Sequence, residues 1–117
     1  MHLFAVSASG SQPFSRQAMD MMRDIIVDKS GDKLKKDEVQ ALQTATTKDE
    51  NGDITLALFR LENVSDERVE NLTGDLALTA TLDREIAAKL KGYSDVRTTF
   101  ATETIPGTCF NKQKDGD

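Results

Sequence analysis

The first part of the chain changes from a strand pattern to a helix pattern. Leu3 to Ala8 is a short apolar run, which the Ser/Gly-rich stretch Ser7 to Ser11 interrupts. Beyond Pro13, apolar residues recur every three or four positions to about Asp28, the spacing of a helix with one buried face. Pro13 lacks a backbone donor and therefore suits the first turn of that helix. The pattern predicts a strand, a loop and a helix.

The middle of the chain predicts a hairpin. Lys33 to Thr47 has no clean period, and we favour a short helical start followed by a strand over a continuous helix. Asn51-Gly52 suits the two central positions of a type I′ turn. Ile54 to Glu62 is the strongest strand candidate and is apolar on both faces, which is typical of a central strand.

The next segment predicts two helices with a strand between them. Ser65 can cap a short helix that runs to Leu72 and ends at Gly74. Leu76 to Leu82 alternates between larger and smaller side chains, which favours a strand. Asp83 to Lys91 then carries apolar residues at helical spacing, so we expect the last helix there.

The final pattern is that of an edge strand. Val96 to Ile105 alternates and is rich in Thr but poor in Lys, so this edge could pair with another chain. The candidate interface residues are Val96, Thr98, Phe100 and Thr102. We take residues 1–106 as one domain and residues 107–117 as a flexible polar tail that could lead into a longer chain.

The predicted order is therefore strand, helix, an uncertain segment ending in a strand, strand, helix, strand, helix, strand. A length of 117 residues is that of one domain. Together these features indicate a single-sheet α/β (α+β) fold.

Composition narrows the range of functions that the chain could have. A net charge of -5 disfavours direct nucleic-acid binding and docking on an anionic membrane. No apolar run approaches the ~20 residues of a membrane span. Cys109 is the single cysteine, so an internal disulfide is excluded and a reducing cytoplasm fits best.

The same composition disfavours enzymatic chemistry and metal binding. His2 is the single histidine and Cys109 the single thiol, which is too few for a zinc site or a nucleophile–base pair. Asp28 to Asp32 and Asp49 to Asp53 open like calcium loops but lack the Gly at position six and the Glu at position twelve. We expect no enzyme activity, no cofactor and no metal.

The first loop is the one candidate for ligand binding. A Ser/Gly loop before a helix can direct backbone N–H groups and hydroxyls at an anion, so Ser9, Gly10 and Ser11 are candidate anion-binding residues. The chain has neither the GxxxxGK[ST] nor the GxGxxG motif, and a plain connecting loop is the alternative.

The order of elements, with Ser9-Gly10 after the first strand, resembles that of a BRCT domain. In that family a Ser/Thr-Gly pair in the first loop contacts a phosphoserine, and the resemblance implies this role for Ser9 and Gly10. The ferredoxin-like order βαββαβ fits almost as well.

We therefore expect a non-enzymatic protein-interaction module, an accessory or assembly factor that binds a protein partner or forms a homodimer through its edge strand. The alternative is an anion-binding or phosphate-binding domain that uses Ser9, Gly10 and Ser11.

Overall fold

Four antiparallel strands form one sheet. In this computed structural model, which describes residues 2–50 and 52–101, the strands lie in the order β2-β3-β1-β4. The strands are β1 (His2–Ser9), β2 (Val39–Asp49), β3 (Gly52–Leu61) and β4 (Ser94–Ala101). The helices are α1 (Arg16–Lys29), α2 (Asp66–Thr73) and α3 (Leu76–Lys89), with a 3₁₀ turn at Lys36–Glu38. The predicted single-sheet α+β fold is confirmed.

The two apolar strands β1 and β3 occupy the middle of the sheet. Ala5 pairs with Leu58 of β3 on one side and with Thr99 of β4 on the other. β3 itself lies between β1 and β2, so the interior position predicted for Ile54 to Glu62 is confirmed. A strand with two neighbours has both faces available for packing, which explains its apolar character.

The hairpin predicted between β2 and β3 is confirmed, with its turn shifted by one residue. The last pair of the ladder joins Asp49 and Gly52, so Gly52 belongs to the strand. Asn51 lies outside the described residues. Gly52 has a φ of 128°, a conformation that glycine adopts at little cost.

The strand predicted at Leu76 to Leu82 is wrong, because this segment is the first half of α3. The alternation of large and small residues coincides with a second spacing: Leu78, Leu82 and Ile86 recur every four positions and are buried. Leu76 belongs to the alternation but is 78% exposed. Asp75 caps the helix by accepting a hydrogen bond from the Leu78 amide at 2.9 Å.

Helix α1 begins later than the sequence predicts. Ser15 is its cap, accepting a hydrogen bond from the Ala18 amide at 3.0 Å, so Pro13 lies in the preceding loop rather than in the first turn. The predicted Ser65 cap of α2 is confirmed, since Ser65 accepts from the Arg68 amide at 3.2 Å. Serine at such a position supplies an acceptor for an otherwise unpaired amide.

All three described helices pack on one face of the sheet. Their buried side chains join those of alternate strand residues in one core, and each fully buried large side chain contributes about 1.5–3 kcal/mol. The Phe4 ring lies 5.6 Å from Phe59 and 4.6 Å from Phe100, centre to centre. The core residues include Phe4, Val6, Met22, Ile26, Phe59, Leu72, Leu82, Ile86, Val96 and Phe100.

Candidate functional site

Among the described strands β4 lies at an edge of the sheet, and the described side chains of its predicted interface point toward the helices. Val96 and Phe100 are 7% and 6% exposed, and the Thr98 hydroxyl lies 3.5 Å from the Thr79 carbonyl of α3. Thr102 lies outside the described residues. Because the side chains of Val96 and Phe100 are buried in the core, a partner would contact β4 along its outer backbone edge.

The regular part of β4 runs from Arg97 to Ala101. The irregularity in its ladder with β1 lies before Arg97, between the pairs of Ser7 and Ser9, where Asp95 has a φ of 52°. The regular stretch holds no Lys and no Pro, and its one charged residue, the exposed Arg97, stands at its start. Alternate N–H and C=O groups along such an edge point away from the sheet and can pair with an incoming strand.

The opposite edge, β2, carries a bulge near its start and is regular from Gln43 to Asp49. Its ladder with β3 is interrupted between Ala41 and Gln43, and a bulge of this kind twists an edge away from regular pairing. Lys48 near its end is exposed, and a charged edge residue also opposes strand addition. The two edges of the sheet therefore differ in the place of the irregularity, which lies before Arg97 in β4 and between Ala41 and Gln43 in β2.

In the loop after β1, the backbone of Gly10, one of the three predicted anion-binding residues, already has hydrogen-bond partners. Ser9 is a strand residue that pairs with Ile54 and Ser94. The Gly10 amide donates to the Asp53 carbonyl at 3.0 Å, and the Gly10 carbonyl accepts from the Thr55 hydroxyl at 3.1 Å. An anion at this amide would have to displace an existing backbone hydrogen bond.

Packing explains why glycine stands at position 10. A Cβ there would lie 2.8 Å from Cδ1 of Tyr93, closer than van der Waals contact allows. The Tyr93 hydroxyl lies 3.1 Å from the Gln12 carbonyl and 3.3 Å from that of Pro13, and its ring lies 4.8 Å from that of Phe14. Tyr93 therefore holds this loop against the domain.

Two shallow depressions flank the loop. The larger, about 510 Å³, lies between the loop and the end of α3 and is lined by Ser15, Lys89, Lys91 and Tyr93 among others. The smaller, about 290 Å³, contains Ser11 beside Lys48 and Asp53. Sequence reasoning missed the two lysines of the larger cleft because they are far from Ser15 in the sequence. Only the tertiary fold brings them near the start of α1.

A bidentate ion pair connects α2 to the 3₁₀ turn. Arg68 Nη2 lies 2.9 Å from Glu38 Oε2, and Arg68 Nη1 lies 3.1 Å from Glu38 Oε1. These bonds from Arg68, with a further one from the Lys35 amide, hold the pKa of Glu38 below its ordinary value against the opposing effect of burial. The pair also joins two loops, because Arg68 donates to the carbonyls of Lys33 and Asn63.

Two further findings concern residues 2–50 and 52–101. Within these ranges, no group of three or more His, Cys, Asp or Glu side chains is arranged to hold a metal ion. No helix in the same part of the chain is long and apolar enough to cross a membrane.

Comparison with known proteins adds little. No family model matches the chain, and no curated protein matches it. The chain is similar to the solution structure of the C-terminal domain of the MgtC protein from Mycobacterium tuberculosis, with 15% identity over 91% of this chain and 94% of that one and a TM-score of 0.36. A TM-score this low carries no inference about function. The BRCT-like and ferredoxin-like resemblances stay predictions.

Proposed function

We propose that this domain is a non-enzymatic protein-interaction module that accepts a strand from a protein partner, or from a second copy of itself, along β4. The supporting observation is the difference between the two edges of the sheet. Arg97 to Ala101 is regular and free of Lys and Pro, whereas β2 is bulged between Ala41 and Gln43. A regular unpaired edge is a template for another strand.

Binding of this kind depends on the backbone of β4 more than on its side chains. Main-chain hydrogen bonds give the affinity, and the exposed side chains beside them tune the choice of partner. Arg97 and Thr99 are exposed on the sheet face opposite the helices. A second copy would pair antiparallel about a two-fold axis and extend the sheet across both chains. In this proposal the domain acts in the cytoplasm as an accessory or assembly factor.

The test introduces a lysine at one edge and a matched lysine at the other. Thr99→Lys on β4 places a charged side chain next to the incoming strand, a change that disfavours pairing along an edge. Thr46→Lys on β2 makes the same change at an exposed position of the other edge. Both variants and the unmodified chain are compared by light scattering over a concentration series and by chemical cross-linking in cells.

The expected result is that Thr99→Lys removes self-association or the cross-linked partners, while Thr46→Lys retains them. Unfolding curves of both variants show that the lysines have not simply unfolded the domain. Equal association and equal cross-linking for the two variants would contradict pairing along β4.

A further inference from the structure

The larger cleft, between the loop after β1 and the end of α3, has apolar walls. Ala18 and Met21 come from α1, and Leu90 and Tyr93 come from the chain at the end of α3. All four side chains are half-buried and pack against the main core, so the apolar interior continues to the surface at this cleft. Met21 can adapt to the shape of a ligand, because its side chain is unbranched and polarizable.

The charged side chains at this cleft are cationic. Lys89 and Lys91 are exposed and line it, and none of its described lining residues is an Asp or a Glu. The whole chain, in contrast, has 20 Asp and Glu against 15 Lys and Arg. Lys29, Lys33 and Lys48 each have an Asp partner within 4.0 Å, whereas no carboxylate in the described part of the chain pairs with the two cleft lysines. Two ammonium groups without a neighbouring carboxylate favour an anion.

The wall at Tyr93 is held in place by contacts within the domain. Its hydroxyl lies 3.1 Å from the Gln12 carbonyl, and its ring lies 4.8 Å from that of Phe14. Ser15 also lines the cleft and is fixed as the cap of α1, because its hydroxyl accepts from the Ala18 amide at 3.0 Å. Walls that are already ordered reduce the entropy that is lost when a ligand binds.

This cleft is separate from the anion site predicted from the sequence. None of Ser9, Gly10 and Ser11 is among its described lining residues. Ser11 lies instead in the smaller depression, where Lys48 is 3.9 Å from the carboxylate of Asp53. An anion in the smaller depression would therefore meet a lysine that is already paired.

We propose that the larger cleft binds a small organic anion, which combines an apolar body with one carboxylate, sulfonate or phosphate group. The apolar body lies against Met21 and Leu90, and the anionic group lies beside Lys89 and Lys91. The volume of about 510 Å³ is that of a small-molecule site, which is typically about 300–1,000 Å³. A protein partner normally covers a wider surface, about 800 Å² on each side. The proposal is independent of strand pairing along β4, because it uses no residue of that strand.

Two aromatic probes of nearly the same shape separate charge from apolar contact. Naphthalene sulfonate carries the anionic group, naphthalene sulfonamide is neutral, and inorganic sulfate supplies charge alone. In NMR titrations of the full ¹⁵N-labelled chain, we expect the sulfonate to move the amide signals of Ala18, Met21, Leu90 and Lys91 saturably. We expect it to bind about fivefold more tightly than the sulfonamide, because two exposed ion pairs are lost with the charge. Sulfate should also bind more weakly than the sulfonate, because it makes no apolar contact.

Paired substitutions test the two lysines. Lys89→Gln with Lys91→Gln removes two charges at the cleft, and Lys35→Gln with Lys36→Gln removes two exposed charges beyond the opposite end of α1. We expect the first pair to weaken binding of the sulfonate about fivefold, to the level of the sulfonamide, and the second pair to leave it unchanged. Unfolding curves of both variants show that the domain stays folded.

Four outcomes would overturn the proposal. They are the absence of saturable movement with the sulfonate, movement confined to residues outside the cleft, equal affinities for the sulfonate and the sulfonamide, and equal effects of the two lysine pairs. None of them bears on the comparison of Thr99→Lys with Thr46→Lys, which reports on β4 alone.

Discussion

Arg68 of α2 and Glu38 of the 3₁₀ turn form a two-point ion pair, with Nη2–Oε2 and Nη1–Oε1 distances of 2.9 and 3.1 Å. The guanidinium also donates to the carbonyls of Lys33 and Asn63. Planar, bidentate contacts of this type are specific to arginine. The pair therefore fixes how α2 lies against the turn that leads into β2.

The first prediction concerns acid stability. The pKa of Glu38 lies below its ordinary value of 4.5, first because Arg68 bonds the carboxylate. A carboxyl whose folded pKa is lowered stabilises the protein above its unfolded pKa, and this contribution is lost as the pH falls through the folded pKa. We expect Glu38→Gln to lower the free energy of unfolding at neutral pH, and its difference from the unmodified chain to vanish in acid. Urea titrations from about pH 7 to about pH 3 measure this, with the exposed Glu70→Gln as control.

The second prediction tests the helical assignment of residues 76–89. Leu82 is fully buried and Leu76 is 78% exposed. Leu82→Ala should cost about 2–5 kcal/mol because it leaves a cavity, while Leu76→Ala should change stability by less than about 0.5 kcal/mol. A strand with the alternation of the sequence would bury both residues on one face, so similar losses in chemical unfolding would contradict the helix.

The third prediction concerns the contact between Gly10 and Tyr93. Gly10→Ala places a Cβ 2.8 Å from the Tyr93 ring, and we expect a loss of about 1–3 kcal/mol from this overpacking. In a Tyr93→Ala background the same change should cost less, because the clash is gone. Thermal and urea unfolding of the four proteins in this cycle measure the coupling. Additive losses would show that the ring does not restrict position 10.

The fourth prediction tests the alternative function. Because the Gly10 amide already donates to the Asp53 carbonyl, we expect inorganic phosphate to leave the amide shifts of Ser9 and Gly10 unchanged in an NMR titration. Sodium chloride at matched ionic strength is the control. Saturable movement at Gly10 would support the anion site predicted from the sequence, whereas movement limited to Ser15 and Lys91 would place the anion in the larger cleft.

Periodicity and turn chemistry predict much of this fold. The strand at Ile54 to Glu62, the Ser65 cap and the β2–β3 hairpin each depend on neighbouring residues, and local preference agrees with the tertiary structure at all three. The prediction of a strand at Leu76 to Leu82 was wrong because the segment carries two patterns. Its alternation favours a strand, whereas its four-residue spacing favours a helix. Packing against the sheet, which a short pattern does not reveal, decided for the helix.

The candidate sites were harder to predict, for a related reason. Phe100 was expected at an interface because it lies on an edge strand, but the register turns its side chain toward the helices. Gly10 looked like part of an anion loop, yet its partner Tyr93 lies far along the chain. A single sequence shows which residues are apolar or small, but not which distant side chains they meet.

The central position of β1 has a consequence for how the protein is made. Ala5 has both Leu58 and Thr99 as neighbours, so β1, the first of these four strands to be synthesised, stays without one of its partners until β4 has followed. Sheets closed by such distant pairings fold more slowly than those built from local hairpins. During synthesis the chain therefore exposes an apolar, unpaired strand, and exposed strands of this kind are prone to aggregation.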